Sequence, residues 1–361
     1  MLKPRSAIQT LPEYHPPLAE RDGLRLDFNE NTAGCSPRVL AALRALTADD
    51  LATYPERAPG ERLLAQHLGL DPAQVLLTNG TDEALHLVCE TLLEPGDEVL
   101  ISVPTFAMFE IYALATGAKV LRIPADAAFR FPVERVRAAI TPRTRLILVA
   151  NPNNPTGTAV ANSDLIALAQ AAPDASLLVD EAYFYFYGQT MLRELERQPN
   201  LIVSRTFSKA YGMAGLRVGV LAAGAETIAM LRRVSSPYNV NGAALACLPA
   251  ALADSGYVDN YVSQVKAGRA QLEALLAELG IEYWPSHANF VLARFGAARV
   301  PLVEAMRARG ILVRDRDSDP GCAGCVRITL GADEQNQRLL PVLREVVAEL
   351  RSRQPAPEVK A

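Results

Sequence analysis

Six short runs rich in Val, Ile and Leu recur between residues 75 and 223: VLL (75–77), EVLIS (98–102), RLILVA (145–150), SLLVD (176–180), LIVSRT (201–206) and LRVGVLAA (216–223). Several are apolar throughout instead of alternating, which is the pattern of a strand covered on both faces. Stretches of helical spacing stand among them, Gly60 to Leu70, Asp82 to Leu93 and Ala107 to Thr116. Strand, helix, strand in succession implies an α/β domain around a mainly parallel sheet.

The pattern changes at about residue 240. Tyr257, Val258, Tyr261, Val262, Val265, Leu272, Leu275, Leu276 and Leu279 keep near-helical spacing, and Gly280 stands where a helix C-terminus wants a cap. NFVLARF, GILVRD and CVRITLG then read as three strands of a small sheet, followed by an amphipathic helix from about Glu334 to Arg351. The first fifty residues, rich in proline and with the turn run LDFNENTAGCSP, read as an arm with little regular core of its own. The expected division is an arm over 1–45, a large domain over 46–240 and a small domain over 241–361, a size that 361 residues support. The closing RQPAPEVKA is expected to be disordered.

Several classes fall away on composition. With 36 basic and 40 acidic residues the net charge is −4, which gives no electrostatic reason for a nucleic-acid partner. No stretch approaches the roughly 20 uninterrupted apolar residues of a membrane span, and the N-terminus has no apolar signal core, so a cytoplasmic location is expected. Five cysteines, Cys35, Cys89, Cys247, Cys322 and Cys325, are few and odd in number and read as free thiols. The CAGC at 322–325 has no second Cys/His pair to complete a zinc site, so no metal is expected. His15, His67, His86 and His287 stand singly and read as structural or surface residues.

In open α/β sheets ligands sit beyond the carboxyl ends of the strands, and here those ends are polar. After VLL comes TNGTDEALHL, with Gly80 ahead of Thr81 and Asp82 at a helix start: an anion cup, or a plain N-cap. After RLILVA comes NPNNPTG, a rigid turn able to fix Asn154 as a neutral hydrogen-bond donor. Asp180 ends a buried apolar strand, and Tyr183 follows three residues later. A carboxylate there needs a positive partner to offset its desolvation. Lys209, in RTFSKAYGMAGLRVG, lies among small and apolar neighbours just after LIVSRT, with Thr206 and Ser208 before it and Arg217 eight residues on. Such a lysine is either a nucleophilic amine of lowered proton affinity, suited to a Schiff base, or a structural partner of Asp180 or another acid. A phosphate cup with an arginine beside it, a buried carboxylate, a fixed Asn, a Tyr and a Schiff-base lysine together match the needs of pyridoxal phosphate.

NPNNPTG, VDEAY, RTFSKAYGMAGLRVG and CVRITLG, in this order and spacing, resemble the fold-type I pyridoxal-phosphate aminotransferases, and more narrowly their histidinol-phosphate aminotransferase branch. LPEY (11–14), LDFNEN (26–31), YPE (54–56), NGTDEALHL (79–87), PTFAMF (104–109), SPYNVN (236–241), ANFVLARF (288–295) and VRD (313–315) extend the likeness over nearly the whole chain. The resemblance implies a large domain with a mostly parallel seven-stranded sheet and a small α+β domain. It implies Lys209 as the Schiff-base lysine, Asp180 at the pyridine nitrogen, and Asn154 and Tyr183 at the phenolic oxygen. Thr81, Asp82, Thr206 and Arg217 would hold the phosphate, and Phe106, where many members have Tyr, would stack on the ring. Tyr54 would reach the phosphate from a neighbouring subunit, implying a homodimer. Tyr14, Arg314 and Arg327, with Asn154, would meet the substrate. Thr32 and Cys35 stand where the family commonly has prolines, which bears on the substrate more than on catalysis.

The activity so implied is transfer of an amino group between L-histidinol phosphate and 2-oxoglutarate, in histidine biosynthesis. An aromatic or broad-range amino-acid aminotransferase is the alternative within the class, and a decarboxylase of a phosphorylated amino acid shares the scaffold. A regulator with an aminotransferase-like domain would carry a DNA-binding segment, and none precedes residue 20; a nicotinamide dehydrogenase would carry G-x-G-x-x-G where TNGTDE has one glycine.

Overall fold

The computed structural model describes residues 2–9, 11, 13 and 22–353; Tyr14, His15 and the tail from residue 354 lie outside these. The strands of the described residues are β1 (Leu24–Arg25), β2 (Val75–Thr78), β3 (Glu98–Val103), β4 (Lys119–Pro124), β5 (Thr144–Ala150), β6 (Ser176–Asp180) and β7 (Leu201–Thr206). They continue as β8 (Gly219–Ala223), β9 (Glu282–Trp284), β10 (Phe290–Arg294), β11 (Ile311–Leu312), β12 (Arg314–Asp315) and β13 (Cys325–Thr329).

Strands β2 to β8 form one seven-stranded sheet in the order β2-β8-β7-β6-β5-β3-β4. Its neighbours are parallel except at β8, which runs antiparallel to both β2 and β7. Helices cover both faces. On one, Leu85 and Val88 of the helix Gly80–Leu92 pack with Leu76, Leu148 and Leu178; on the other, Leu165 and Leu168 of the helix Asn162–Ala171 pack with Ile147, Val149 and Val179. This double cover is why β7 and β8 are buried at every position and why β8 has no polar residue. β8 begins at Gly219, not at 216: residues Ala214–Leu216 form a 3-10 turn, and Arg217 follows in the left-handed region at φ 57°.

The small sheet has four strands in the order β12-β13-β10-β9, all antiparallel. The helix Ser255–Glu278 buries Val258, Tyr261, Val262, Val265, Leu272, Leu275 and Leu276, and Gly280 takes the left-handed φ of 62° just beyond it. GILVRD divides between two sheets: Ile311 and Leu312 pair with β1, and only Arg314 and Asp315 join the small sheet. The N-terminal segment is less coreless than its composition implies. Leu24 and Leu26 are buried, and the helix Pro37–Arg44, capped by Ser36, buries Val39.

Candidate active site

The carboxyl ends of β2, β5, β6 and β7 open on one cavity of about 340 Å³. It is closed from the other side by Phe28, Asn29 and Glu30, by Arg314 to Arg316, by Ser318 and Asp319, and by Arg327. Thr81, Asp82, Phe106, Asn154, Asp180, Tyr183, Thr206, Lys209, Arg217, Arg314 and Arg327, far apart in sequence, all line it. Tyr54 does not. It is 74% exposed and stacks on Tyr238 with ring centroids 4.4 Å apart. Tyr14 lies outside the described residues.

At the β2 end, Gly80 has φ 77° and opens the helix, so the first amide groups of that helix face the cavity mouth without intrahelical partners. The left-handed Arg217 lays its guanidinium against this turn: a Cβ on Gly80 would collide with Arg217 Nη2. Arg217 also donates to Asp82 Oδ2 at 2.8 Å. Thr206 Oγ1 accepts from Ser208 N at 3.1 Å, bringing a hydroxyl beside the same cup. A glycine turn, a helix dipole, an arginine and a hydroxyl make a concave anion site.

Asp180 and Glu181 are both buried, but they are treated differently. Glu181 accepts from Arg205 Nε at 2.9 Å, Thr190 Oγ1 at 2.8 Å and Met191 N at 2.6 Å. Asp180 accepts from Ser204 Oγ at 2.7 Å. The cationic partner that a buried carboxylate needs is supplied by none of the described residues, a departure from the sequence expectation. Burial accordingly pushes the Asp180 pKa up to about 7, with Ser204 opposing. Asp180 lines the cavity, where a carboxylate without a cationic partner suits a cationic ring nitrogen.

Among the described residues Lys209 makes no ion pair either; its Nζ donates to Phe28 O at 3.0 Å, so the structural reading of an ion pair with Asp180 does not hold. Burial, then the Arg327 charge, lower its pKa to about 8. Asn154 Oδ1 accepts from Arg327 Nη1 at 2.5 Å, and since a guanidinium only donates, the Asn154 amide nitrogen is left as the free donor. The Tyr183 hydroxyl accepts from Asn29 Nδ2 at 2.8 Å, which leaves its own proton to give. Asn29 is itself fixed by Thr329 Oγ1, donating at 3.0 Å to its side-chain oxygen. Asn29 and Ser204 were not singled out by sequence; each lies within a quoted motif, LDFNEN and LIVSRT, but only the fold reveals that it braces a cavity residue.

Five free thiols are present, and among the described residues no group of three or more His, Cys, Asp or Glu could hold a metal ion. No helix of the described residues is long and apolar enough to cross a membrane.

A buried acid without a cationic partner, two side-chain donors, an amine of lowered pKa and an anion cup meet in one cavity, a set of groups that suits pyridoxal phosphate. The chain belongs to the aminotransferase class I and II family, whose model matches residues 21–343. Among curated proteins it is similar to the histidinol-phosphate aminotransferase of Roseiflexus castenholzii, 38% identical over 95% of this chain and 97% of that one. Histidinol-phosphate aminotransferase 1 of Thiobacillus denitrificans is 40% identical over 94% and 89%. Among solved structures, histidinol-phosphate aminotransferase from Sinorhizobium meliloti in complex with pyridoxal-5'-phosphate superposes with a TM-score of 0.87 at 28% identity, covering 97% of this chain and 99% of that one.

Proposed function

We propose that the chain is a pyridoxal-phosphate-dependent aminotransferase that takes the amino group of L-histidinol phosphate and gives it to 2-oxoglutarate. The observation that carries the reading is the meeting, in one cavity, of an uncompensated buried acid at 180 and a buried amine at 209. The names of the relatives support the choice of donor.

When bound, the cofactor supplies an aldehyde and an electron-withdrawing ring. Lys209 would hold it through the ε-amine, and the same buried amine is placed to take the proton from the donor Cα. Burial lowers the proton affinity of this amine, which suits it to act as a base. Asp180 would keep the ring nitrogen protonated. Asn154 and Tyr183 would donate to the ring hydroxyl oxygen, and Phe106 would pack on the ring. The Thr81 and Asp82 amides, Thr206 and Arg217 would bind the cofactor phosphate, which would separate anchoring from proton transfer. Arg314 and Arg327 meet the anionic end of the substrate, and Tyr54 completes the site of a second copy.

The test is a donor panel on pyridoxal-loaded protein. L-Histidinol phosphate is expected to be preferred over L-phenylalanine in kcat/KM, and the reverse preference refutes the substrate. Lys209→Ala is expected to abolish turnover and the visible absorbance of the lysine-bound cofactor; persistence of both refutes the site.

A further inference from the structure

The antiparallel pairing of β12 with β13 sets Arg314 directly opposite Arg327, and opposite residues share a face. Side chains alternate along a strand, so Arg316 returns to that face, its N–H bonded across to Cys325 O at 3.0 Å. Three guanidiniums thus crowd one face of a hairpin, and all three line the cavity. Like charges so placed destabilise a sheet.

Two acids of this hairpin are already paired. Asp315 is paired with Arg299. Asp319, in the turn that follows β12, pairs with Arg316 and lines the cavity with it. Arg327 is 5% exposed and gives its two terminal nitrogens to neutral oxygens, Asn154 Oδ1 and Asp27 O. The Nε atoms of Arg316 and Arg327 are both buried without a hydrogen-bond partner. A carboxylate has two oxygens and one charge to offer a guanidinium, whereas a phosphate monoester has the charge and the oxygens for a second fork.

We propose that Arg316 is a specificity-determining residue which leaves Asp319 to bind the distal phosphate of a phosphorylated amino donor, while Asp319 retains it when the incoming group is a carboxylate. The inference rests on the transaminase reading and adds to it a residue and its latch. Sequence alone did not mark either position.

Arg316→Gln is expected to raise KM for L-histidinol phosphate about tenfold or more, the usual scale for losing one charge-assisted contact. KM and kcat for L-glutamate are expected to stay within about threefold, since that ligand does not call on the residue. Arg316→Lys, which keeps charge without the fork, is expected to recover part of the loss. A binding arm separates this from the substrate assignment. In the cofactor-loaded protein the Gly80 cup is filled, so inorganic phosphate titrated by calorimetry reports the loop arginines. Asp319→Asn is expected to tighten phosphate several-fold and Arg316→Gln to weaken it about tenfold. Equal effects on both donors, or phosphate binding that neither substitution moves, overturns the inference. A wild-type protein that ignores L-histidinol phosphate but whose phosphate affinity follows these variants refutes the donor and leaves the Arg316 site standing.

Discussion

Asp180 shows how one carboxyl can be costly to the fold and useful to the chemistry. In the unfolded chain it ionises near its ordinary value of 3.8; in the native, cofactor-free protein, burial holds the proton until about pH 7. Below about pH 4 both states are protonated and the group is neutral to stability. Between those values the unfolded chain loses its proton first, so native stability falls as pH rises, by about 4 kcal/mol as an upper bound. Asp180→Asn is therefore expected to make the cofactor-free protein more stable at pH 8 and to leave it little changed at pH 4, read as urea midpoints at the two pH values. The same variant is expected to lose transamination at least about a hundredfold, because a neutral amide does not keep a ring nitrogen protonated. Lys209 has the opposite sign. Its pKa falls from 10.5 to about 8, so the burden of burying the ammonium is full below pH 8 and lifts as pH rises toward 10.5. Lys209→Met is expected to raise the cofactor-free melting temperature at pH 7 and to lose that advantage above pH 10. Lys209 and Asp180 were legible as chemistry because a charged residue at the end of an apolar run is conspicuous. Asn29 and Ser204 were not, because a polar residue bracing another looks in sequence like any turn or strand residue.

The anion cup depends on two elements meeting more closely than side chains allow. A Cβ on Gly219, the first residue of β8, would lie 2.5 Å from Gly80 C and 2.7 Å from Thr81 N, both backbone atoms with no room to give. Gly219→Ala must push the helix start away from β8 or strain one of them, with an expected cost of about 1–3 kcal/mol. The displaced turn carries the Thr81 and Asp82 amides, so cofactor affinity is expected to fall by more than the melting temperature implies. A titration of absorbance against added pyridoxal phosphate, beside a thermal melt, separates the two. The strands around this cup were readable from sequence because burial on both faces leaves apolar stretches such as LILVA (146–150) and LLV (177–179) without interruption. β4 was not, since as an edge strand it exposes Lys119, Arg122 and Pro124 and breaks the apolar run. β1 and β9, of two and three residues, are too short for any periodicity. β8 was read three residues too long because LRV is apolar enough to pass for strand, while the left-handed backbone at Arg217 is a tertiary demand that places the arginine over Gly80.

At the scale of the molecule, the residue left unexplained by one chain is Tyr54. A tyrosine 74% exposed, stacked on a Tyr238 that is itself 57% exposed, with Leu51 nearby in sequence at 72%, is an apolar surface of the kind that a second subunit covers. If that subunit lends Tyr54 to the cofactor phosphate of its neighbour, two separately impaired chains complete each other. Lys209→Ala spoils the site in its own chain but offers an intact Tyr54; Tyr54→Ala does the reverse. Under random pairing about half of the dimers are hybrids, and one of the two sites in each hybrid has both residues, so the mixture is expected to recover about a quarter of wild-type activity. If Tyr54 served the chain that carries it, no hybrid site would hold both residues, and mixing would add nothing to the residual activity of the Tyr54→Ala protein. The size of the recovery, measured after co-refolding equal amounts of the two variants, thus reports both the assembly and the direction in which the tyrosine reaches.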